Sequence, residues 1–134
     1  MDWTLEVVVV PVGDVDRAKK FYSEQVGFNV DVDHSTGDSF RVVQLTPPGS
    51  GCSISIGVGL ADGTPGSLKG LQLCVTDVDA AREQLVAGGV DVSEVRHVEE
   101  GVWKPGHGED WNSFIFFEDP DGNSWTVQQV PANR

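Results

Sequence analysis

The chain has 134 residues, 39% of them hydrophobic, enough for one compact domain with its own core and too many for a disordered chain at this charge content. Its formal net charge is −12, with 21 acidic residues against 9 basic ones, and such a surface repels the phosphates of DNA or RNA. No apolar run approaches the roughly 18 residues that a membrane span needs, and no basic stretch followed by an apolar one opens the chain, so the expectation is a soluble, cytoplasmic protein with no membrane partner.

In chain order, the first element is an apolar strand, "LEVVVVPV" (5–12). Asp14 follows where a helix N-cap belongs, its carboxylate ready to accept from the first free amides. Asp16 sits in the first turn, where a negative charge suits the helix dipole. Val15, Ala18, Phe21 or Tyr22, and Val26 then recur at helical spacing, and Gly27 stops the helix. Three strand-like stretches come next: "FNVDVD" (28–33), "FRVVQLT" (40–46) and "CSISIGV" (52–58).

The segment "GLADGTPGSLK" (59–69) is rich in Gly, Pro and Ser and reads as a linker. The pattern then repeats. A strand, "GLQLCV" (70–75), leads to Asp77 as N-cap and Asp79 in the first turn; Val78, Ala81 and Leu85 hold helical spacing, and Gly88-Gly89 end the helix. Three further strands are expected at "VDVSEV" (90–95), "SFIFFE" (113–118) and "SWTVQQV" (124–130). Between the last two, "DPDGN" (119–123) is a turn, with Asp-Pro opening it and Asp-Gly tolerating positive φ.

The repeat is direct. Val12, Asp14, Val15, Asp16 and Ala18 fall on Val75, Asp77, Val78, Asp79 and Ala81 at a constant offset. The predicted fold is therefore one α+β domain over 1–134 of two βαβββ modules, 1–58 and 70–130, joined by the 59–69 linker. Its eight strands would form a curved half-barrel, with the helices outside and a cup inside.

The strand–"VxDVDxA"–helix–Gly pattern, present twice, together with the closing "FFEDPDGNSWTVQQ", resembles the vicinal oxygen chelate superfamily of glyoxalases, bleomycin-resistance proteins and extradiol dioxygenases. In the enzymes of that family a divalent metal in the cup, held by His, Gln or Glu, stabilises an anionic intermediate as a Lewis acid. The resemblance carries the ligand positions onto Val7, Gly70, Thr126 and, in the first module's last strand, Ser53 or Ser55. Valine and glycine side chains cannot coordinate, and neutral hydroxyls are weak donors, so no metal site and no cofactor are expected. The resemblance also implies a homodimer.

Strand alternation places Val7, Val9, Gly70, Gln72, Cys74, Thr126 and Gln128 on the inner face and turns Trp125 toward the helix side. That floor is apolar with a few neutral hydrogen-bonding groups, as in many small-molecule pockets. Cys52 and Cys74 lie in apolar strands without CxxC spacing and read as small core residues. Of the three histidines, His34 and His97 lie in polar surroundings. His107 lies in "GVWKPGHGEDWNSF" (101–114), read as a long aromatic loop of the kind that binds ligands. Trp103 and Trp111 flank it and offer flat faces to an aromatic or cationic ligand, or pack across a dimer or over the cup mouth.

Two functions fit these features. One is a metal-independent binding protein of the bleomycin-resistance type, holding a small aromatic or cationic molecule against Val7, Gln72, Trp103, His107, Trp111, Thr126 and Gln128. The other is a glyoxalase-like lyase, isomerase or dioxygenase with an off-pattern metal, or with His107 as acid or base beside Glu109 or Asp110.

Overall fold

The computed structural model describes residues 1–60 and 62–134; the predicted linker 59–69 includes Ala61, which lies outside the described residues. By their internal contacts these residues form two units, Met1–Leu68 with Asp119–Asn123, and Lys69–Glu118 with Ser124–Arg134.

The first unit runs β1 (Val7–Val9), α1 (Val15–Lys20) continued by a π-helical segment (Phe21–Val26), β2 (Asn29–Thr36), β3 (Phe40–Thr46) and β4 (Ser53–Val58). Asp14 caps α1 as its sequence position predicts, accepting from the Arg17 amide at 3.0 Å. Widening to the π form lets the Gly27 amide reach back five residues to the Tyr22 carbonyl, and Gly27 then turns out at φ 95°. Its strand order is β1-β4-β3-β2, with β1 parallel to β4 and the other pairs antiparallel. One face of this sheet is buried with the helix: Val43, Leu45, Ile54 and Ile56 pack in a core that includes Val15, Ala18, Phe21, Tyr22 and Val26. Each buried Val, Leu, Ile or Phe among them contributes about 1.5–3 kcal/mol of burial free energy.

The "DPDGN" turn belongs to this unit and acts as a clasp. Asp119 is buried and accepts four hydrogen bonds: from the Tyr22 hydroxyl (2.7 Å), the Asn123 side-chain amide (2.8 Å), and the backbone amides of Asp121 (3.0 Å) and Asn123 (2.9 Å). Asn123 in turn donates to the Pro11 carbonyl at 2.8 Å and accepts from the Leu68 amide at 3.0 Å. Gly66 sits beside the turn at φ 82°, and a Cβ there would stand 2.0 Å from the Asp121 carbonyl oxygen. Only glycine meets both conditions.

The second unit runs β5 (Leu71–Val75), α2 (Val78–Ala87), β6 (Arg96–Glu99), β7 (Val102–Pro105), β8 (Phe114–Glu118) and β9 (Ser124–Gln129). Asp77 caps α2 through the Ala80 amide at 3.0 Å. Its sheet order is β5-β9-β8-β6-β7 with β5 parallel to β9, repeating the first sheet with one strand added. Ile115, Phe117, Trp125 and Val127 are buried on one face, in a core shared with Val78 and Leu85 of α2. Trp125 takes the helix side as alternation predicts, stacked on Phe117 with centroids 6.0 Å apart.

The α+β class and the paired modules are as the sequence predicts. Two elements differ. The described residues hold nine strands in two open sheets rather than eight. Segment 90–95 supplies only one bridge, Val92 to Phe117, and the strand pairing moves to the 96–105 hairpin. Gly101 at φ 78° and Glu100 at φ 50° make that hairpin turn, so Val102–Pro105 is strand rather than loop.

Candidate functional site

Each sheet keeps a second face that its helix does not cover. In the second unit, register assigns the residues of that face row by row. Gln72 lies beside Thr126, and Thr126 beside Phe116; Cys74 lies beside Gln128, Gln128 beside Phe114, and Phe114 beside Arg96. Val98 opposite Trp103 completes it. Gln72 and Cys74 are exposed, while Phe114, Phe116, Thr126 and Gln128 are half-buried. Cys74 thus belongs to the open face, not the core; Cys52 is half-buried, and both thiols are free.

At one end of this face three aromatic rings meet edge to face. The Trp103 ring stands 5.3 Å from both Phe114 and Phe116, near perpendicular to each. The Arg96 guanidinium lies over Phe116, 5.9 Å from its centroid. Arg96, Trp103 and Phe116 line a recess of about 260 Å³. Edge-to-face geometry is favoured by the ring quadrupoles, and Trp103 remains half exposed.

The rest of the face is a chain of neutral amides. Gln72 donates to the Gln128 side-chain oxygen at 2.6 Å, and Gln128 donates onward to the Trp111 carbonyl at 2.7 Å. Trp111 has φ 67° and its ring is covered by the Arg134 guanidinium at 5.8 Å. Gln72, Trp103, Trp111, Thr126 and Gln128 are therefore brought into one surface region.

His107 is not among the residues of this face, and Val7 belongs to the other unit. The His107 ring pairs with Asp79, in the first turn of α2, at 2.9 Å; that carboxylate, rather than Glu109 or Asp110, is its partner. Val7 lies on β1 of the first unit, beside Ser53, on a face with Val9, Ser55, Gln44 and Thr46. The repeat also settles which serine matches Thr126: Val9 pairs with Ser55 as its counterpart Gln72 pairs with Thr126. His97 is less solvated than its polar neighbours suggest, bonded to the Gly106 carbonyl at 2.9 Å and to Glu99 at 3.3 Å. The His34 ring is hydrogen-bonded to the exposed Thr36 hydroxyl at 3.2 Å.

The positions to which the resemblance carries the family's metal ligands hold Val7 and Ser55 in the first unit and Gly70 and Thr126 in the second, whose side chains offer hydrocarbon, nothing, or a neutral hydroxyl. Among the described residues no three His, Cys, Asp or Glu side chains stand close enough to hold a metal. No helix among them is long and apolar enough to cross a membrane.

Sequence reasoning missed Phe114, Phe116 and Arg96. The first two were legible in "FIFFE", where alternation from Thr126 across the hairpin picks them out. Arg96 was not, because the expected strand ended one residue before it.

Comparison with known proteins gives concordant matches. A solved structure described as TnmS3, an antibiotic binding protein from Streptomyces sp. CB03234, is 32% identical, with a TM-score of 0.76 covering 96% of this chain and 97% of that one. A glyoxalase/bleomycin resistance protein from the same organism is 33% identical, with a TM-score of 0.73 covering 94% of this chain and all 100% of that one. The uncharacterized protein YetH of Bacillus subtilis (strain 168) is 26% identical over 91% of this chain and 94% of its own length. Residues 4–127 match the sequence pattern of one family across nearly the whole fold described above, and the chain belongs to the glyoxalase/bleomycin resistance protein/dioxygenase superfamily.

Proposed function

We propose that the protein binds a small, flat aromatic molecule on the open face of its five-stranded sheet, without a family-type metal. The observation that carries this is the Trp103–Phe114–Phe116 cluster standing half exposed over a recess of about 260 Å³. Surface aromatics of this size normally bury themselves, and a recess framed by them favours a stacked ring. The similar TnmS3 is described as antibiotic binding, which fits a sequestering role. Of the two ligand types that Trp103 and Trp111 suggest, a cation is disfavoured by the guanidinium already in the recess.

The chain acts as a cytoplasmic homodimer in this reading. Two free thiols fit a reducing compartment. Trp3 is 88% and Leu5 73% exposed, in line with Val7 and Val9 along an edge strand, and an apolar edge of this kind pairs readily with a second copy of itself. Isothermal calorimetry with naphthylmethanol, before and after treatment with a chelator, tests the binding claim. Saturable binding that survives chelation supports it; binding that needs an added divalent ion overturns it.

A metal-free enzyme is the second reading, favoured by one contact. Asp79 orients the His107 imidazole as a carboxylate orients a general base. Loss of turnover in His107→Gln, for any substrate found, would support it.

A further inference from the structure

We propose that Arg96 selects the ligand of this face: a flat aromatic molecule carrying a carboxylate, phenolate or similar anionic oxygen beside its rings. This rests on the binding function proposed above and narrows it. The chain as a whole argues the other way, since a net charge of −12 draws cations to its surface. The open face of β5–β9–β8–β6–β7 departs from that average. Its floor residues Gln72, Cys74, Thr126 and Gln128 are neutral, and its one carboxylate in register, Glu118, lies at the far end of β8. Glu118 lies four steps along the strand from Phe114, the partner of Arg96, or about 13 Å at the usual rise.

Four other cations are paired with carboxylates, whereas Arg82 bonds the Ser93 carbonyl and Arg134 lies over the Trp111 ring. Arg17 pairs with Asp121, Arg41 with Asp33 and Asp16, Lys19 with Asp33, and Lys104 with Glu99. Arg96 has no ion pair among the described residues. Its backbone is fixed, because β6 is an interior strand with Phe114 on one side and Pro105 on the other. Its guanidinium carbon lies 5.9 Å from the Phe116 ring centroid, and no described carboxylate pairs with its N–H groups. A carboxylate meeting those N–H groups would be bound bidentately while its ring stacks on Trp103. The recess of about 260 Å³ is small for a drug-sized molecule and suits one or two fused rings.

Calorimetric titration of the full chain with naphthoate, naphthylmethanol and naphthylmethylammonium tests this, using wild type, Arg96→Gln and Arg96→Lys. Wild type is expected to bind naphthoate about tenfold or more tighter than the ammonium probe, the usual scale of a charge-assisted hydrogen bond. Arg96→Gln is expected to abolish that preference, weakening naphthoate about fivefold or more beyond any loss in naphthylmethanol binding, and Arg96→Lys to restore it in part. Equal binding of all three probes by wild type overturns the role of Arg96 and leaves the aromatic site standing. Equal weakening of all three in Arg96→Gln also overturns it, since an arginine that only covers Phe116 would act that way. Failure of every probe to bind wild type removes the site and this proposal together.

Discussion

The Tyr22 hydroxyl and the Asp119 carboxylate, 97 positions apart, meet in a buried hydrogen bond of 2.7 Å. The Asn123 side-chain amide donates to the same carboxylate at 2.8 Å, which gives the asparagine that closes "DPDGN" its role. Asp119 organises its own turn through two backbone amides, and Tyr22 and Asn123 satisfy its other oxygen. Tyr22→Phe removes one donor to a buried carboxylate and should lower stability by about 1–3 kcal/mol. Urea denaturation should show a lower midpoint at unchanged slope. An unchanged midpoint would mean that solvent or another donor replaces the hydroxyl.

Asp33 is bonded to Arg41 and, at 2.8 Å, to Lys19; these bonds, with that to Arg41 the larger cause, hold its carboxyl well below the usual Asp range. A depressed folded-state pKa stabilises the fold above the unfolded value of about 3.9, and that gain fades as pH falls from there toward the folded value. Asp33→Asn should cost at most about 1 kcal/mol at neutral pH, because the pair is near the surface. The gap between variant and wild type should close on acidification below about pH 4. A gap that widens in acid would contradict this assignment.

Trp3 and Leu5 extend the β1 edge with exposed apolar side chains. If that edge is the contact between two copies, Trp3→Glu places a charge there twice over. Light scattering on a sizing column should then report the monomer mass where wild type gives the dimer. A wild-type monomer, or a variant that remains fully dimeric, would exclude this edge as the interface.

Much of the fold was legible because its signals are local and repeated. Asp14 and Asp77 announce their caps, and Gly27 and Gly89 take the left-handed turns that the helix ends require. Alternation placed Gln72, Thr126 and Gln128 on one face and Trp125 on the other because strand period does not depend on partners. The failures are non-local. "VDVSEV" has strand composition, yet Ser93 spends its hydroxyl on the Phe116 amide and the chain pairs further on. Once the hairpin 96–105 forms, Trp103 becomes a strand residue, and Arg96 joins it on the open face. His107 has Glu109 and Asp110 as loop neighbours in sequence, while its partner Asp79 is 28 positions away on a helix.

The amide chain on the site face yields a further expectation. Gln128 both accepts from Gln72 and donates to the Trp111 carbonyl, so it holds the positive-φ turn at Trp111. Gln128→Leu should alter Trp111 fluorescence, with thermal stability reduced by about 1 kcal/mol, the usual size of a side-chain hydrogen bond. An unshifted emission spectrum would show that Arg134 and the local backbone hold Trp111 alone.

The most direct test of the account is calorimetric titration of chelator-treated protein with naphthoate, comparing wild type with Trp103→Leu. Removing an aromatic stacking platform should weaken binding about tenfold, on the scale of 1–1.5 kcal/mol for a ring pair, while restored zinc, nickel or manganese should leave wild-type affinity unchanged. Binding that is indifferent to Trp103→Leu, or that appears only when a divalent ion is returned, would contradict a metal-free aromatic site on this sheet.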